Sequence, residues 1–382
     1  MSFTRSIYSP EHEQFRDSFK RFLQKEVVPH QQSWDEAGII PKEIWRKCGE
    51  NGFLVPAADE QFGGLGIKDY RYEAIMTEEL AYINESGLVL ALHNSMVAPY
   101  ILNYGNDEQK ARFIPRIISG DNGILAIAMT EPGAGSDLAG MKTHAKDMGD
   151  HWVLNGSKIF ITNGNNADII IVAAKTDPTN PHCMGLFIVE RGMEGFSRGK
   201  PLHKMGMKAQ DTSELFFENV IVPKENLLGD PSKGFVYMMQ KLGAERLSLC
   251  VETIAGAERA LEDTLAYVKE RHAFGKPIGK FQNTQFKLAE LQTEVSIGRV
   301  YTDKMIEAFN EGTLNDATVC GAKFWLTDLR CKVVDECLQF FGGYGYMQEY
   351  PICKMYLDAR IGKIYAGSNE IMKGFVAKSM GL

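Results

Sequence analysis

The chain has 382 residues, of which 44% are hydrophobic and 24% charged, the ordinary balance of a globular protein. This composition excludes intrinsic disorder, and at about 150 residues per domain the length suggests two or three domains. The net charge is −7, with Lys and Arg scattered along the chain. A nucleic-acid or anionic-membrane surface is therefore not expected, because both partners attract concentrated positive charge.

The sequence also bears on compartment and metal binding. It has no run of the roughly 20 apolar residues that cross a bilayer, and its opening residues match neither a signal peptide nor an Arg-rich transit peptide. Seven cysteines lie far apart without a CxxC pair, which predicts free thiols in a reducing compartment and no zinc site. We expect the bacterial cytoplasm, or the mitochondrial matrix for a processed eukaryotic chain.

Residues 1–124 have helical patterns. The first helix is expected to begin at Ser9, an N-cap residue followed by Pro10 and the acidic Glu11. Apolar side chains then recur every four residues, which predicts one buried stripe; they are Phe15, Phe19, Leu23 and Val27. Further helices are expected at about 40–52, 69–84, 87–104 and 107–119.

Residues 125–232 change to β-rich patterns. His151–Thr162 is predicted to form two strands joined by a hairpin turn at Asn155 and Gly156, because Asn-Gly is the strongest short hairpin signal. Further strands are expected at 167–175, 185–190 and 213–222. The pattern favours a compact antiparallel β domain over alternating βαβ units.

Residues 233–382 return to helical patterns. Apolar residues keep helical spacing over about six turns; they are Leu247, Val251, Ile254, Leu261, Leu265 and Val268. Two more long helices are expected at about 282–311 and 315–341, the second ending at a Gly-rich turn. The predicted fold class is mainly α with a central β domain (α+β), in three domains: 1–124, 125–232 and 233–382.

Several common enzyme classes are not indicated. No GxGxxG follows a strand, no GxxxxGK[ST] occurs, and no GxSxG precedes a helix, so Rossmann enzymes, P-loop NTPases and α/β-hydrolases are not expected. One segment is a positive signal: in residues 129–137, MTEPGAGSD, small residues leave backbone N–H groups free to approach an anion or a ring edge. Taken alone, this segment is more typical of a polar Gly-rich turn than of a binding site.

Five motifs together indicate a family. AMTEPGAGSD at 128–137, KIFITNG at 158–164, ERHAFGKPIGKFQ at 270–282, QFFGGYGY at 339–346 and IYAGSNEI at 364–371 occur in this order. The series resembles the acyl-CoA dehydrogenase family over essentially the whole chain. The stretches at 203–220 and 350–373 look closest to the long-chain branch of that family.

The resemblance implies a fold and an activity. The fold would have an N-terminal helical domain, a middle antiparallel β domain and a C-terminal four-helix bundle, with FAD between the last two, in a homotetramer. The activity would be α,β-dehydrogenation of a medium- to long-chain acyl-CoA to the trans-2-enoyl-CoA. Hydride would pass to flavin N5, and electrons would go on to electron-transferring flavoprotein.

The resemblance also implies site residues. Phe160, Ile161 and Thr162 would lie by the isoalloxazine, and Arg271 would face the pyrophosphate. The other residues implied to bind FAD are Ile127, Ala128, Met129, Thr130, Ser136, Phe274, Gln282, Gln339, Phe340, Phe341, Gly342, Gly343, Ser368, Asn369 and Glu370. Those implied to bind the acyl-CoA are Ser136, Gly243, Ala244, Arg246, Ala366 and Gly367.

The α-proton needs a base, and a carboxylate in a dry pocket suits this step because burial raises its basicity. Most members of the family carry this base as a Glu in a C-terminal YEG motif, where this chain has Ala366. The resemblance to the long-chain and isovaleryl branches implies Glu245 instead, directly before Arg246. Glu252 and Glu258 are weaker rivals, and a solvated acidic helix face is the alternative without chemistry.

Other functions stay open at this point. The chain could belong to a branched- or short-chain, isovaleryl-like branch, or it could bind acyl-CoA without oxidising it because the usual base is lost. An acyl-CoA oxidase would differ in its access to oxygen. The small residues Gly87, Ala91 and Ser95 could leave room for a long acyl tail, or they could form a close packing contact.

Overall fold

A computed structural model describes residues 4–382. Its N-terminal part is helical, as predicted. The helices are α1 (Pro10–Glu26), α2 (Gln31–Ala37), α3 (Lys42–Glu50), α4 (Arg71–Tyr82), α5 (Ala98–Tyr104) and α6 (Asp107–Ser119). Ser9 caps α1 together with His12, whose Nδ1 lies 2.7 Å from the Ser9 hydroxyl. The predicted stripe of α1 enters a core that includes Trp45 and Phe53.

The helix predicted at 87–104 begins later and is irregular. Leu92–Val97 form a π-helical segment before α5, and Pro99, which has no N–H to donate, is the second residue of α5. Gly87 lies outside this helix, where a Cβ atom would come within 2.6 Å of the Ala209 Cβ. Close packing is therefore the role of Gly87.

The middle part is one eight-stranded sheet. Its strands are β1 (Leu125–Ala128), β2 (His144–Asp147), β3 (His151–Thr162), β4 (Ile169–Lys175), β5 (Met184–Glu190), β6 (Phe196–Arg198), β7 (Thr212–Pro223) and β8 (Leu227–Leu228). The order is β6-β7-β3-β2-β4-β5-β8, with β1 beside β4. Because β4 runs parallel to β1 and β2, the sheet is mixed, and the purely antiparallel prediction was wrong in this respect.

The predicted hairpin at Asn155 and Gly156 was also wrong. β3 is continuous and pairs along its length with β7, and the register shifts by a bulge between Leu154 and Gly156. Gly156 has φ +145°, and a Cβ there would lie 2.4 Å from the Thr143 hydroxyl. The Asn155 carboxamide bonds across the sheet to Asn219. The Asn-Gly pair thus accommodates a bulge and a close neighbour.

The C-terminal part is a helical bundle. Three long helices, α7 (Gly234–Glu270), α8 (Gln282–Asn310) and α9 (Asp316–Phe341), pack on one another around a common core. The shorter α10 (Pro351–Ala359) and α11 (Asn369–Ser379) pack on α9, and a two-stranded ribbon, β9 (His272–Ala273) and β10 (Lys276–Pro277), lies between α7 and α8. Within residues 4–382, no helix is long and apolar enough to cross a bilayer. The domain boundaries at 124/125 and 232/233 stay predictions.

A buried cluster of charges joins the N-terminal helices to the bundle. The Glu78 carboxylate on α4 is 2% exposed and lies 2.7 Å from an Arg5 nitrogen, 3.0 Å from Arg16 and 2.8 Å from Arg299 of α8. Burial opposes ionisation of Glu78, but the three guanidinium groups outweigh it and lower its pKa to about 2. Removing the carboxylate would leave three guanidinium groups close together, each with at least one remaining acidic partner, Asp303, Glu79 and Glu258.

We expect Glu78→Ala to lower the free energy of unfolding by about 3–5 kcal/mol, the usual cost of breaking a buried ion pair from one side. Thermal unfolding followed by circular dichroism measures this change. Because the pKa of Glu78 is lower in the folded chain, the stability that it adds is present above about pH 4.5 and is lost as the pH falls toward 2. The control is Glu13→Ala, which removes an exposed partner of Arg16. Equal losses in the two variants would contradict this account.

Candidate active site

The segment after β1 meets β3 beyond the residues of β3 that pair with β2. Ala128 is buried in the sheet core, whereas Ile127, Met129 and Thr130 are partly buried. The Thr130 carbonyl accepts a hydrogen bond of 2.9 Å from the Ile159 N–H. The structure therefore places residues 127–130 beside residues 158–162, two groups that the resemblance assigns to one binding site.

A buried ion pair holds these two segments together. The Lys158 ammonium is fully buried and donates to the Met129 carbonyl at 3.0 Å and to the Glu131 carboxylate at 2.8 Å. Glu131 also accepts the backbone N–H groups of Lys142 and Thr143. Burial lowers the pKa of Lys158 to about 8, although Glu131 opposes this shift. The sequence analysis missed this pair, and its only signal was a lysine within a strand.

The three residues predicted to lie by the isoalloxazine differ in the exposure of their side chains. Phe160 is 65% exposed and has φ +60°, at a register shift between Lys158 and Ile161. The Ile161 side chain points into the sheet core, so only its main chain is available to a ligand. Thr162 is partly buried, and Ser136 is exposed on the Gly-rich loop.

A second group of predicted residues surrounds an open cavity of about 410 Å³. Arg271 lies there opposite Gln339, Phe340, Phe341, Gly342 and Gly343, as the resemblance implies. Its guanidinium carbon is 5.9 Å from the centre of the Tyr344 ring. Phe274, which is 96% exposed with φ +52°, and Gln282 do not line this cavity.

The C-terminal motif forms a strained turn before α11. Ala366 and Gly367 both have positive φ, +53° and +89°. Ser368 caps α11, and Glu370 is exposed in its first turn. The Asn369 side chain is buried and bonds to α9, so it supports the turn. Any contact of Ser368, Asn369 or Glu370 with a cofactor stays a prediction.

Glu245 lies on α7, partly buried, next to this turn. Burial raises its pKa, while the neighbouring Arg246 and Lys323 oppose the increase. Tyr100 of α5 and Tyr365 both interact electrostatically with Glu245. Arg246 lies 3.9 Å from where a Cβ on Gly367 would be. Arg246 is thus close to the segment that contains Ala366 and Gly367. A Cβ on Gly243 would instead lie 3.4 Å from an Asp316 carboxylate oxygen, and binding of acyl-CoA by Gly243 and Ala244 stays a prediction.

The rival carboxylates are bound to arginines. Glu252 lies 3.0 Å from Arg330, and Glu258 lies 2.8 Å from Arg299. Among residues 4–382, none makes a hydrogen bond or ion pair with the Glu245 carboxylate. A solvated acidic face is not observed, because Glu245 and Glu252 are both partly buried.

Three family models match most of the chain. They are the acyl-CoA dehydrogenase N-terminal domain at 9–121, the middle domain at 126–220 and the C-terminal domain at 232–381. The chain belongs to the acyl-CoA dehydrogenase family. The chain is 48% identical to the mitochondrial long-chain specific acyl-CoA dehydrogenase of Mus musculus, over 98% of this chain and 88% of that protein.

Solved structures of the family have the same fold. The acyl-CoA dehydrogenase of Geobacillus kaustophilus superposes with a TM-score of 0.97 at 47% identity, covering 99% of this chain and 100% of that one. An acyl-CoA dehydrogenase of Bacillus anthracis, complexed with FAD, superposes with a TM-score of 0.92 at 32% identity. It covers 99% of this chain and 69% of that one. The predicted family and fold class are confirmed.

Proposed function

We propose that this chain is a FAD-dependent acyl-CoA dehydrogenase that converts a medium- to long-chain acyl-CoA to the trans-2-enoyl-CoA, with Glu245 as the base. The observation that carries the proposal is the position of Glu245. It is a partly buried carboxylate without an ion pair, beside the turn at Ala366 where most of the family carries its base. The 48% identity to a long-chain specific enzyme supports the substrate class.

The residues present fit FAD. The cavity beside Arg271 offers a guanidinium opposite Gly342 and Gly343, where a Cβ would meet no atom within 4 Å, so a ligand can approach the main chain closely. Beside β3, the exposed ring of Phe160 and the main chain of residues 129–130 would hold the flavin ring. FAD, when bound, supplies the acceptor for the hydride that leaves the substrate Cβ.

The remaining chemistry belongs to this chain's own residues. Glu245 takes the α-proton onto a carboxylate oxygen, and its burial makes it a stronger base than a solvated Glu. The Ala366 N–H donates to the thioester oxygen, which stabilises the enolate character that develops as the proton leaves. Arg246 and Gly367, which lie close to each other, would contact the bound acyl-CoA at this position. The proton thus ends on Glu245.

A binding protein without activity is the second candidate, and Ala366 in place of the usual Glu favours it. The two candidates differ in whether Glu245 acts as a base. A short- or branched-chain enzyme of the isovaleryl-like branch is a further alternative, and it would act on a shorter or branched acyl group.

We also propose a homotetramer that passes electrons to electron-transferring flavoprotein, in the bacterial cytoplasm. Exposed apolar side chains on α8 support association with further copies, since Phe286, Ile297 and Val300 are 47–58% exposed. Ile297 and Val300 line an open cavity of about 790 Å³. The almost fully exposed Phe274 would bind FAD across such an interface.

Glu245→Gln is expected to retain FAD and acyl-CoA binding but to slow flavin reduction by about 10²–10⁴-fold or more, because an amide cannot accept the α-proton. Anaerobic stopped-flow bleaching of the flavin on mixing with acyl-CoA measures the rate. Glu252→Gln is the matched control, two turns along α7, and is expected to reduce its flavin much faster. Ala366→Glu added to Glu245→Gln should restore part of the rate. A near wild-type rate in Glu245→Gln would place the base elsewhere.

Arg271→Ala is expected to purify with less than one FAD per chain, because the cation opposite the pyrophosphate is lost. The ratio of flavin to protein absorbance measures the occupancy. Lys269→Ala, which removes an exposed cation from the end of the same helix, should keep full occupancy. Full occupancy in Arg271→Ala would count against the assigned FAD site.

Activity toward a panel of straight-chain acyl-CoAs is expected to rise with length and then level off. Each methylene buried should add roughly 0.8 kcal/mol until the pocket is full. Steady-state kcat/KM with an artificial electron acceptor reports this dependence. An optimum at four carbons, or with a branched five-carbon acyl group, would contradict the long-chain assignment and leave the family unchanged.

A further inference from the structure

Lys323 is a fully buried lysine in the N-terminal third of α9. Its ammonium donates to the Gly367 carbonyl at 2.7 Å and to the Asn369 side-chain oxygen at 3.0 Å. No sequence motif pointed to it. A buried lysine is uncommon and costly, so its partners indicate what it does.

Those partners belong to the strained turn. A residue other than glycine in the left-handed region costs about 1–2 kcal/mol, and Ala366 is such a residue. The turn therefore needs bonds that hold it. Lys323 bonds the carbonyl of Gly367, the residue after Ala366, while Asn369 bonds Thr327 and the Phe324 carbonyl on α9.

Lys323 also favours the carboxylate form of Glu245 electrostatically. The neighbours that influence Lys323 are Arg246 and Cys250 of α7, Asp328 of α9 and Glu370 of α11. Burial lowers the pKa of Lys323 to about 8, so it is mainly cationic at neutral pH. Glu245 in turn interacts electrostatically with Arg246, Lys323, Tyr100 and Tyr365. Only Arg246 and Lys323 favour its carboxylate form.

We propose that Lys323 is a positioning residue for the dehydrogenation, which fixes the turn that presents the Ala366 N–H and places a cation in the neighbourhood of Glu245. One side chain thus serves both proposed groups, the hydrogen-bond donor and the base. It does not touch the reacting atoms. The inference rests on the proposed function, because it assumes that Glu245 is the base.

The test is the pH dependence of flavin reduction in the holoenzyme. Lys323→Met removes the charge and the donor but keeps a long side chain. Because a cation favours the carboxylate, its loss should move the acidic limb of the rate profile upward by about one pH unit. Thr327→Val is the matched control. It removes a bond to Asn369 but leaves the charge, and its acidic limb should stay in place.

Lys323→Gln separates the two roles and is also measured should Lys323→Met fail to fold. Its amide can still donate but carries no charge, so the limb should shift while the maximal rate falls less than in Lys323→Met. An unchanged acidic limb in a folded Lys323 variant, with Glu245→Gln inactive, would overturn this inference alone. A fully active Glu245→Gln would instead overturn the proposed base.

Discussion

The proposed chemistry depends on one carboxylate that is partly removed from water and not bonded to a cation. Loss of hydration raises the pKa of Glu245 and makes it a competent base, whereas direct contact with an arginine would lower that pKa and weaken it. Glu252 and Glu258 lie farther along the same helix and are bound to Arg330 and Arg299. The same helix therefore supplies one carboxylate suited to proton abstraction and two suited to holding the bundle together.

Segments far apart in the chain must be fixed around that carboxylate. In the β domain, the buried pair of Lys158 and Glu131 joins the Gly-rich loop to β3. In the bundle, Lys323 joins α9 to the turn at Ala366. In both places a desolvated lysine bonds main-chain carbonyls, which fixes the backbone more firmly than apolar contacts alone, because hydrogen bonds are directional.

Local sequence signals predicted most helices and strands correctly. Features that depend on contacts between distant parts of the chain were not predicted. The cap at Ser9 and the stripe of α1 depend on neighbours within a few residues, and both were found. The Asn155-Gly156 signal occurs in both hairpin turns and bulges. Here β3 pairs with β7, about 60 residues away in sequence, and this pairing selects the bulge. Lys158 and Lys323 were missed because the groups that make their burial possible lie 27 and 44 residues away. The family motifs indicated the site residues, while the partners that hold them became visible only in the fold.

The central claim is that Glu245 removes the α-proton, and isotope exchange tests it without relying on the redox step. The holoenzyme is reduced beforehand, so that no hydride can be accepted, and is incubated with a saturated acyl-CoA in D₂O. The α-hydrogens are then followed by mass spectrometry. The account predicts deuterium uptake at Cα with the wild-type enzyme and with Glu252→Gln, and almost none with Glu245→Gln. Uptake at the wild-type rate in Glu245→Gln would contradict it.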